Sequence, residues 1–177
     1  MQTSPTSPVG LKTNTHPTGA WLPPLNIIQA CLGFTNASFV ARTMDWNPLH
    51  LYQTLKMAYE HKGMSFVQIL QRCPQYTSKV WLDFQNNPDR ILLMNHEKGI
   101  PVDDAVGRMH KNQIAHDPAD IHEARRLAEA GSERLAVGLF YHNPNAPRYD
   151  LHTAEGMGMA PEKKVEAINE AFDRFAV

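Results

Sequence analysis

The sequence predicts an α/β protein: an incomplete doubly wound domain built around a parallel βαβ unit, followed by a mixed α+β extension. Two β-rich runs flank a helical pattern between residues 37 and 71, and this order is typical of parallel strands joined by a right-handed crossover. The balance of charge changes sign near residue 80. With 177 residues, of which 42% are hydrophobic, the chain can bury a core of its own.

The change in charge divides the chain into two predicted modules. Residues 1–80 carry six Lys/Arg against two acidic residues, and residues 81–177 carry eleven against sixteen. We place the boundary after residue 76, which gives a first module over 1–76 and an extension over 77–177. The cations of the first module are scattered and form no basic stripe, so a nucleic-acid partner is not expected.

The composition also predicts a compartment. No apolar run approaches the ~20 residues of a membrane-spanning helix, so no membrane partner is expected. The first thirty residues lack the basic and apolar regions of a signal peptide. The two cysteines, Cys31 and Cys73, cannot form a disulfide framework, and we therefore expect a cytoplasmic protein.

Residues 1–24 are predicted to form an extended loop. They contain five prolines and many Ser/Thr residues, which lack a backbone donor or compete for backbone hydrogen bonds. Composition alone is also typical of a disordered tail. Trp21 and Leu22 favour a loop that docks onto another surface.

The βαβ unit follows in order. Asn26 is positioned to cap a short helix that closes near Gly33, and residues 37–42 form the first predicted strand. Asn47 caps a longer helix with Pro48 at its first position, and apolar residues recur at helical spacing up to Gly63. Residues 64–71 form the second strand, which we expect to be buried and parallel to the first.

A parallel sheet needs more than two strands and needs both faces covered. The first module offers only two strands, so its front half is expected to lie outside this chain. In the extension, strands are predicted over 90–95 and 134–141. Helices are predicted over 120–131 and 161–176.

Cys73 is the main candidate functional residue. A lone cysteine after an apolar strand is usually a small buried hydrophobe, and this alternative stays open from the residues alone. The carboxyl end of a parallel strand favours a ligand site instead, and the following Pro74 is common beside metal-bound thiolates. One thiolate cannot hold a cluster, so any metal site needs further ligands. Cys31, inside the first helix, is interpreted as a core residue.

The histidine-rich segment 110–123 does not have the spacing of a metal site. Its histidines His110, His116 and His122 are separated by gaps of six residues that run through a proline, whereas helical metal sites prefer i,i+4. We interpret the segment as a solvated loop that leads into a helix capped by Asp120.

Three stretches together resemble a known family. QTSPTSPVGLKTNT, FVARTMDWNPLHLYQTLKMAYEHKG and SFVQILQRCPQY are similar, in this order, to the β subunit of 2-oxoacid:ferredoxin oxidoreductases, especially its 2-oxoglutarate branch. The resemblance is strong over residues 2–76 and weaker over 77–177. It implies a thiamine-diphosphate-binding fold.

The resemblance also assigns roles to individual residues. It implies that Gln2, Thr3 and Ser4 line the thiamine diphosphate pocket, and that Cys73 is the last ligand of a 4Fe–4S cluster. The family's Gly-Asp-Gly signature for Mg²⁺ and the diphosphate is absent, as are three cluster cysteines. The chain is therefore expected to be the C-terminal half of the subunit, as a fragment, the product of an internal start, or one half of a split subunit.

The implied activity is the oxidative decarboxylation of a 2-oxoacid, with 2-oxoglutarate favoured over pyruvate. Coenzyme A would accept the acyl group and ferredoxin the electrons. The expected partners are the α subunit, the missing N-terminal half of the β subunit, and ferredoxin, and the isolated chain is expected to be inactive. Two alternatives remain: a non-redox thiamine-dependent decarboxylase subunit, in which Cys73 is only packed, and an inactive fragment that binds a partner subunit.

Overall fold

Five strands form one mixed sheet. They are β1 (Ala37–Met44), β2 (Met64–Leu70), β3 (Ile91–Asn95), β4 (Gln113–Ala115) and β5 (Leu135–His142), in the spatial order β2-β1-β5-β3-β4. Strand β1 is parallel to β2 and antiparallel to β5, and β3 is parallel to both β4 and β5. The computed structural model describes residues 3–73, 79–129, 133–148 and 159–175. It confirms the α/β class and the parallel βαβ unit.

Helices connect and cover these strands. They are α1 (Ile27–Leu32), α2 (Pro48–Glu60), α3 (Leu82–Asn86), α4 (Asp104–Met109), α5 (Ile121–Glu129) and α6 (Pro161–Phe175). Within the described ranges, none of them combines the length and apolar character needed to cross a bilayer. Short helices α3 and α4 and the three-residue strand β4 were not predicted from the sequence.

The predicted helix caps are present. The side-chain oxygen of Asn26 accepts a hydrogen bond from the Gln29 amide at 3.2 Å, and that of Asn47 accepts one from the His50 amide at 3.2 Å. The Asp120 carboxylate accepts from two amides of the first turn of α5. Each contact satisfies an amide that the helix itself leaves unpaired, which explains why these helices begin where the sequence predicts.

Strand β5 provides the neighbour that β1 was expected to lack. All eight residues of β1 are buried, because β2 and β5 pair with its two edges and helices cover its two faces. On one face Val40 and Phe140 pack with residues of α1 and α5. On the other, Phe39 and Leu139 pack with Met57 of α2. The first module supplies only two strands, as predicted, and β5 of the predicted extension pairs with β1 beside them.

Strand β2 differs from its prediction as a buried strand. It lies at the edge of the sheet, and its first two residues and Ile69 are exposed. Only Leu70 is fully buried. Residues on an edge strand lose cover on one side because no further strand lies beside them.

Helix α2 turns only part of its apolar pattern to the sheet, where Met57 and Ala58 pack. Leu49, Tyr52 and Leu55 are exposed, whereas His50 and Thr54 are buried. The Thr54 hydroxyl donates to the His50 carbonyl at 2.7 Å, and the His50 ring contacts Thr43 of β1. These hydrogen bonds let polar side chains occupy the buried face without an unpaired hydroxyl.

The N-terminal loop folds back on itself. The Gly10 amide donates to the Ala20 carbonyl at 2.6 Å, and the Leu25 amide donates to the Pro5 carbonyl at 2.7 Å. Trp21 and Leu22 keep 75% and 59% of their surface exposed. Among the described residues, the expectation that these two side chains dock onto another surface is therefore not met.

Two compact units make up the chain by internal contacts, residues 1–146 and 147–177. The first contains the whole sheet. In the second, helix α6 is the described element, and its described side chains are exposed. The boundary after residue 76 concerns the organisation of a complete subunit and stays a prediction.

Substitution of Gly138 by alanine should strongly destabilise the sheet. Gly138 in the middle of β5 has a φ of +128°, and an added Cβ would lie 3.1 Å from the Met94 Cβ. We expect the free energy of unfolding to fall by about 3 kcal/mol, from strained backbone and overpacking together. Urea unfolding measures this loss.

Gly107→Ala is the matched control. Its added Cβ would meet only ordinary contacts, the nearest at 3.5 Å, and Gly107 lies inside α4, where alanine is favoured by up to about 1 kcal/mol. The prediction is contradicted if the Gly138 variant unfolds at the same urea concentration as the unmodified protein.

Candidate functional site

The carboxyl ends of β1 and β2 lie next to each other at one end of the two parallel strands. Met44 and Leu70 are partners at the end of the parallel ladder, and the Asp45 amide donates to the Leu70 carbonyl at 3.1 Å. Cys73 follows three residues after the last residue of β2, so the predicted position at a strand's carboxyl end is confirmed. The carboxyl ends of the strands are where α/β sheets bind ligands.

The two cysteines lie in opposite environments. Cys73 is exposed, whereas Cys31 keeps 2% of its surface and packs in the core with α5. Burial raises the pKa of the Cys31 thiol, which disfavours the thiolate that binds metals. The interpretation of Cys31 as a core residue is confirmed. The alternative interpretation of Cys73, as a small buried hydrophobic residue, does not hold within this chain.

Cys73 is the described part of the Cys-Pro-x-Tyr element. Pro74 and Tyr76 lie outside the described residues. Among the residues that the structure describes, no group of three or more His, Cys, Asp or Glu side chains is arranged to hold a metal ion. A metal site at Cys73 would need ligands from elsewhere.

A buried polar cluster that was not predicted from the sequence lies near the carboxyl end of β1. The Thr43 hydroxyl lies 2.8 Å from His50 Nδ1, and the Asn47 amide nitrogen lies 3.5 Å from His110 Nε2. The opposite ring nitrogen of His50, Nε2, has no hydrogen-bond partner among the described residues. The sequence did contain a signal for this cluster. A capping side chain binds the amide two or three residues later, so the predicted cap Asn47 places His50 beside it.

Burial sets the protonation of these rings. Desolvation, with a smaller contribution from neighbouring His110, lowers the pKa of His50 to about 4. Desolvation also lowers the pKa of His110, and its contact with the Pro88 carbonyl opposes that shift. Both rings are therefore neutral at pH 7. The interpretation of His110 and His116 as part of a solvated loop was wrong, because they keep only 1% and 2% of their surface.

A second group of hydrogen-bonded side chains lies at the opposite end of the strands, where β1 and β2 begin. The Ser38 hydroxyl contacts His61 Nε2 at 2.9 Å, and His61 Nδ1 contacts His142 Nε2 at 3.2 Å. Because the Ser38 hydroxyl donates to the Met64 carbonyl, His61 must donate to Ser38. Ser38 is fully buried and its proton is engaged, so it is not a nucleophile. The three side chains tie β1, the end of α2 and β5 together.

The N-terminal loop encloses a cleft of about 520 Å³ that Thr3, Ser4, His16 and Trp21 help to line. The Thr3 hydroxyl lies 2.8 Å from His16 Nδ1. The loop thus places Thr3 and Ser4 in one cleft. Cys73 is not among the described residues that line this cleft, and Gln2 lies outside the described residues.

No protein-family model matches the chain. Individual proteins do match it. The chain is 36% identical to the 2-oxoglutarate synthase subunit KorB of Methanothermobacter marburgensis, over 97% of this chain and 52% of that protein. It is 28% identical to the 2-oxoglutarate oxidoreductase subunit KorB of Mycobacterium tuberculosis, over 84% of this chain and 46% of that protein.

The chain is a homologue of 2-oxoacid:ferredoxin oxidoreductase β subunits. A solved structure of 2-oxoglutarate:ferredoxin oxidoreductase from Magnetococcus marinus, with 2-oxoglutarate, coenzyme A and succinyl-CoA bound, has the same fold. It superposes with a TM-score of 0.67 and 25% identity, over 94% of this chain and 52% of that one. The resemblance inferred from the sequence is confirmed, and these oxidoreductase β subunits are about twice as long as the region that this chain matches.

Proposed function

We propose that this chain forms part of a 2-oxoacid:ferredoxin oxidoreductase that acts on 2-oxoglutarate. The whole enzyme would oxidatively decarboxylate its substrate with coenzyme A to acyl-CoA and CO₂, and would reduce ferredoxin. The observation that carries the proposal is the 36% identity to a 2-oxoglutarate synthase subunit over 97% of the chain. The ligands named for the Magnetococcus marinus structure support the choice of 2-oxoglutarate.

Cys73 would ligate one iron of a 4Fe–4S cluster, which supplies one-electron transfer to ferredoxin when it is bound. The thiol is exposed beyond the carboxyl end of β2, so it can bind a cluster whose other ligands come from another polypeptide segment. Its short connection to β2 limits how far it can move. The remaining ligands would come from the part of the relatives that this chain does not match.

Gln2, Thr3 and Ser4 would line one side of a thiamine diphosphate pocket. Among the described residues, the cleft at Thr3 and Ser4 is lined by hydroxyls, the His16 ring and apolar side chains, with no acidic group. This donor set is suited to a phosphate-bearing group, because hydroxyls donate to phosphate oxygens and no carboxylate repels them. When bound, the thiamine supplies the electron sink for decarboxylation. Mg²⁺ would be held by the missing Gly-Asp-Gly segment.

The isolated chain is expected to bind neither thiamine diphosphate with Mg²⁺ nor a cluster. The sequence lacks the diphosphate and magnesium signature and contains only Cys31 and Cys73, of which Cys31 is buried in the core. Calorimetric titration with thiamine diphosphate and Mg²⁺ checks this. Binding with micromolar affinity would contradict it.

Reconstitution tests the function itself. The chain is combined with the other half of a β subunit and an α subunit, and 2-oxoglutarate-dependent ferredoxin reduction is measured. Pyruvate as the substrate is the control for specificity. CO₂ release without iron or ferredoxin reduction would favour a non-redox decarboxylase, and assembly without any turnover would favour an inactive subunit. Either result would overturn the proposal.

A further inference from the structure

Two half-buried histidines meet at the end of the sheet where β1 begins. His61 follows the last residue of α2, and His142 is the last residue of β5, where it pairs with Phe39 of β1. The Phe39 ring is fully buried, and its centroid lies 5.6 Å from that of the His61 ring and 5.7 Å from that of the His142 ring. Three separate elements therefore fix where the two imidazoles lie, and both rings keep part of their surface in contact with solvent.

The ring of His61 is held in one orientation and one tautomer. Its Nε2 donates to the Ser38 hydroxyl, whose own proton goes to the Met64 carbonyl, so Nδ1 of the neutral ring carries a lone pair. Gly63 packs closely against this contact, since an added Cβ would lie 2.6 Å from both His61 Nε2 and Ser38 Oγ. Histidines that bind metals are almost always oriented by such a hydrogen bond from their other ring nitrogen.

The free nitrogen of His61 lies close to a nitrogen of His142. His61 Nδ1 and His142 Nε2 are 3.2 Å apart, and the two ring centroids are 5.0 Å apart. Two imidazole nitrogens that bind one tetrahedral zinc ion are about 3.4 Å apart, with ring centroids about 5.2 Å apart. A straight N–H···N bond of the observed length would instead place the centroids about 5.5 Å apart. The pair is therefore bent, as it is when two nitrogens converge on one ion.

We infer that His61 Nδ1 and His142 Nε2 together bind one divalent transition-metal ion, with Zn²⁺ and Cu²⁺ as the expected occupants. Imidazole nitrogen suits both ions. When the ion binds, the proton of His142 moves from Nε2 to Nδ1, so both rings stay neutral and no proton is lost. Water completes the coordination, since the described part of the chain has no group of three or more His, Cys, Asp or Glu side chains that could hold a metal ion.

The bound ion would fasten the end of α2 to the end of β5, where a single hydrogen bond between side chains now joins His61 to His142. Burial lowers the pKa of both rings, and His142 adds to the shift of His61, so the neutral rings that metals require are present at pH 7. Cys73 lies beyond the opposite end of β2, and the metal ion is therefore independent of the proposed function.

Calorimetric titration of the full chain with Zn²⁺, after treatment with a chelator, tests the site. Thiolates also bind Zn²⁺, so every protein in the assay carries Cys73→Ser. We expect one ion per chain, and binding about tenfold or more weaker when His142→Asn removes a ligand or Ser38→Ala frees the tautomer of His61. His122→Asn is the matched control, because it removes an exposed histidine and should leave the affinity unchanged. Mg²⁺, which prefers oxygen ligands, should not bind.

Two readouts identify the ligands without relying on a variant that folds. The electron paramagnetic resonance spectrum of bound Cu²⁺ should show coupling to two imidazole nitrogens. Zn²⁺ should protect His61 and His142, and not His122, from modification by diethyl pyrocarbonate, as measured by mass spectrometry. Circular dichroism checks the fold of each variant.

Several results would overturn the metal site. They are no binding of Zn²⁺ or Cu²⁺ to the chain, equal affinity in the His142→Asn variant and the control, and protection that falls on other histidines. Modification of His61 and His142 at the same rate with and without Zn²⁺ would show that the two rings only share a hydrogen bond.

Discussion

Replacement of Cys73 by serine is expected to abolish ferredoxin reduction in the reconstituted enzyme while part of its CO₂ release persists. Serine offers a hard oxygen ligand in place of a soft thiolate, so the affinity of the site for an iron–sulfur cluster should fall. Cys73 is exposed, and exposed substitutions usually change the free energy of unfolding by less than about 0.5 kcal/mol. The loss should therefore fall on iron content and electron transfer, and the fold should be unchanged.

The measurement pairs iron and acid-labile sulfide content with separate assays of ferredoxin reduction and CO₂ release. Cys31→Ala is the matched control, since it removes the other thiol from the buried core and should leave the iron content unchanged. A serine variant that keeps a full cluster and normal electron transfer would show that Cys73 is no ligand.

Acidification from pH 6.5 towards pH 4 is expected to destabilise the protein by about 3 kcal/mol through His50 alone. Its pKa is about 4 in the folded protein, because burial and then His110 disfavour the charged ring, and about 6.5 when unfolded. The unfolded state binds more protons between these two values, so the contribution is complete above pH 6.5 and is lost as the pH falls. His61, His110 and His142, whose pKa values are also lowered, add to the loss.

Urea unfolding at pH 7 and at pH 4.5 measures the effect. His50→Asn keeps a polar atom near the Thr43 hydroxyl and cannot be protonated, so the difference in stability between the two pH values should shrink markedly. His122 is exposed, and His122→Asn should leave that difference unchanged. An equal pH dependence in all three proteins would show that His50 titrates normally.

Local signals were sufficient for the βαβ unit. The cap at Asn47, the proline that follows it and the two β-rich runs each depend on neighbours within a few residues, and the structure has β1, α2 and β2 as predicted. The position of Cys73 beyond β2 follows from those elements. Its assignment as an iron ligand came from the resemblance to a family and remains a proposal.

Features that depend on distant contacts were not predictable in this way. Strand β5 was expected in an appendage, yet it pairs with β1 across a long stretch of chain, and no local pattern encodes that partner. The burial of His116 is similar, because its Nε2 contacts the Phe140 carbonyl at 2.7 Å, a group on that same strand. Once β5 is placed between β1 and β3, the neighbouring loop is covered as well.

The central position of β5 also bears on synthesis by the ribosome. It is the middle strand of the sheet and the last of the five in chain order. Before residue 142 has emerged, the β2–β1 and β3–β4 pairs have no strand to join them, and one edge of β1 is uncovered. Long-range strand pairing is slow, and uncovered edges are prone to aggregation. We therefore expect the nascent chain to depend on chaperones until nearly all of its first compact unit has been translated.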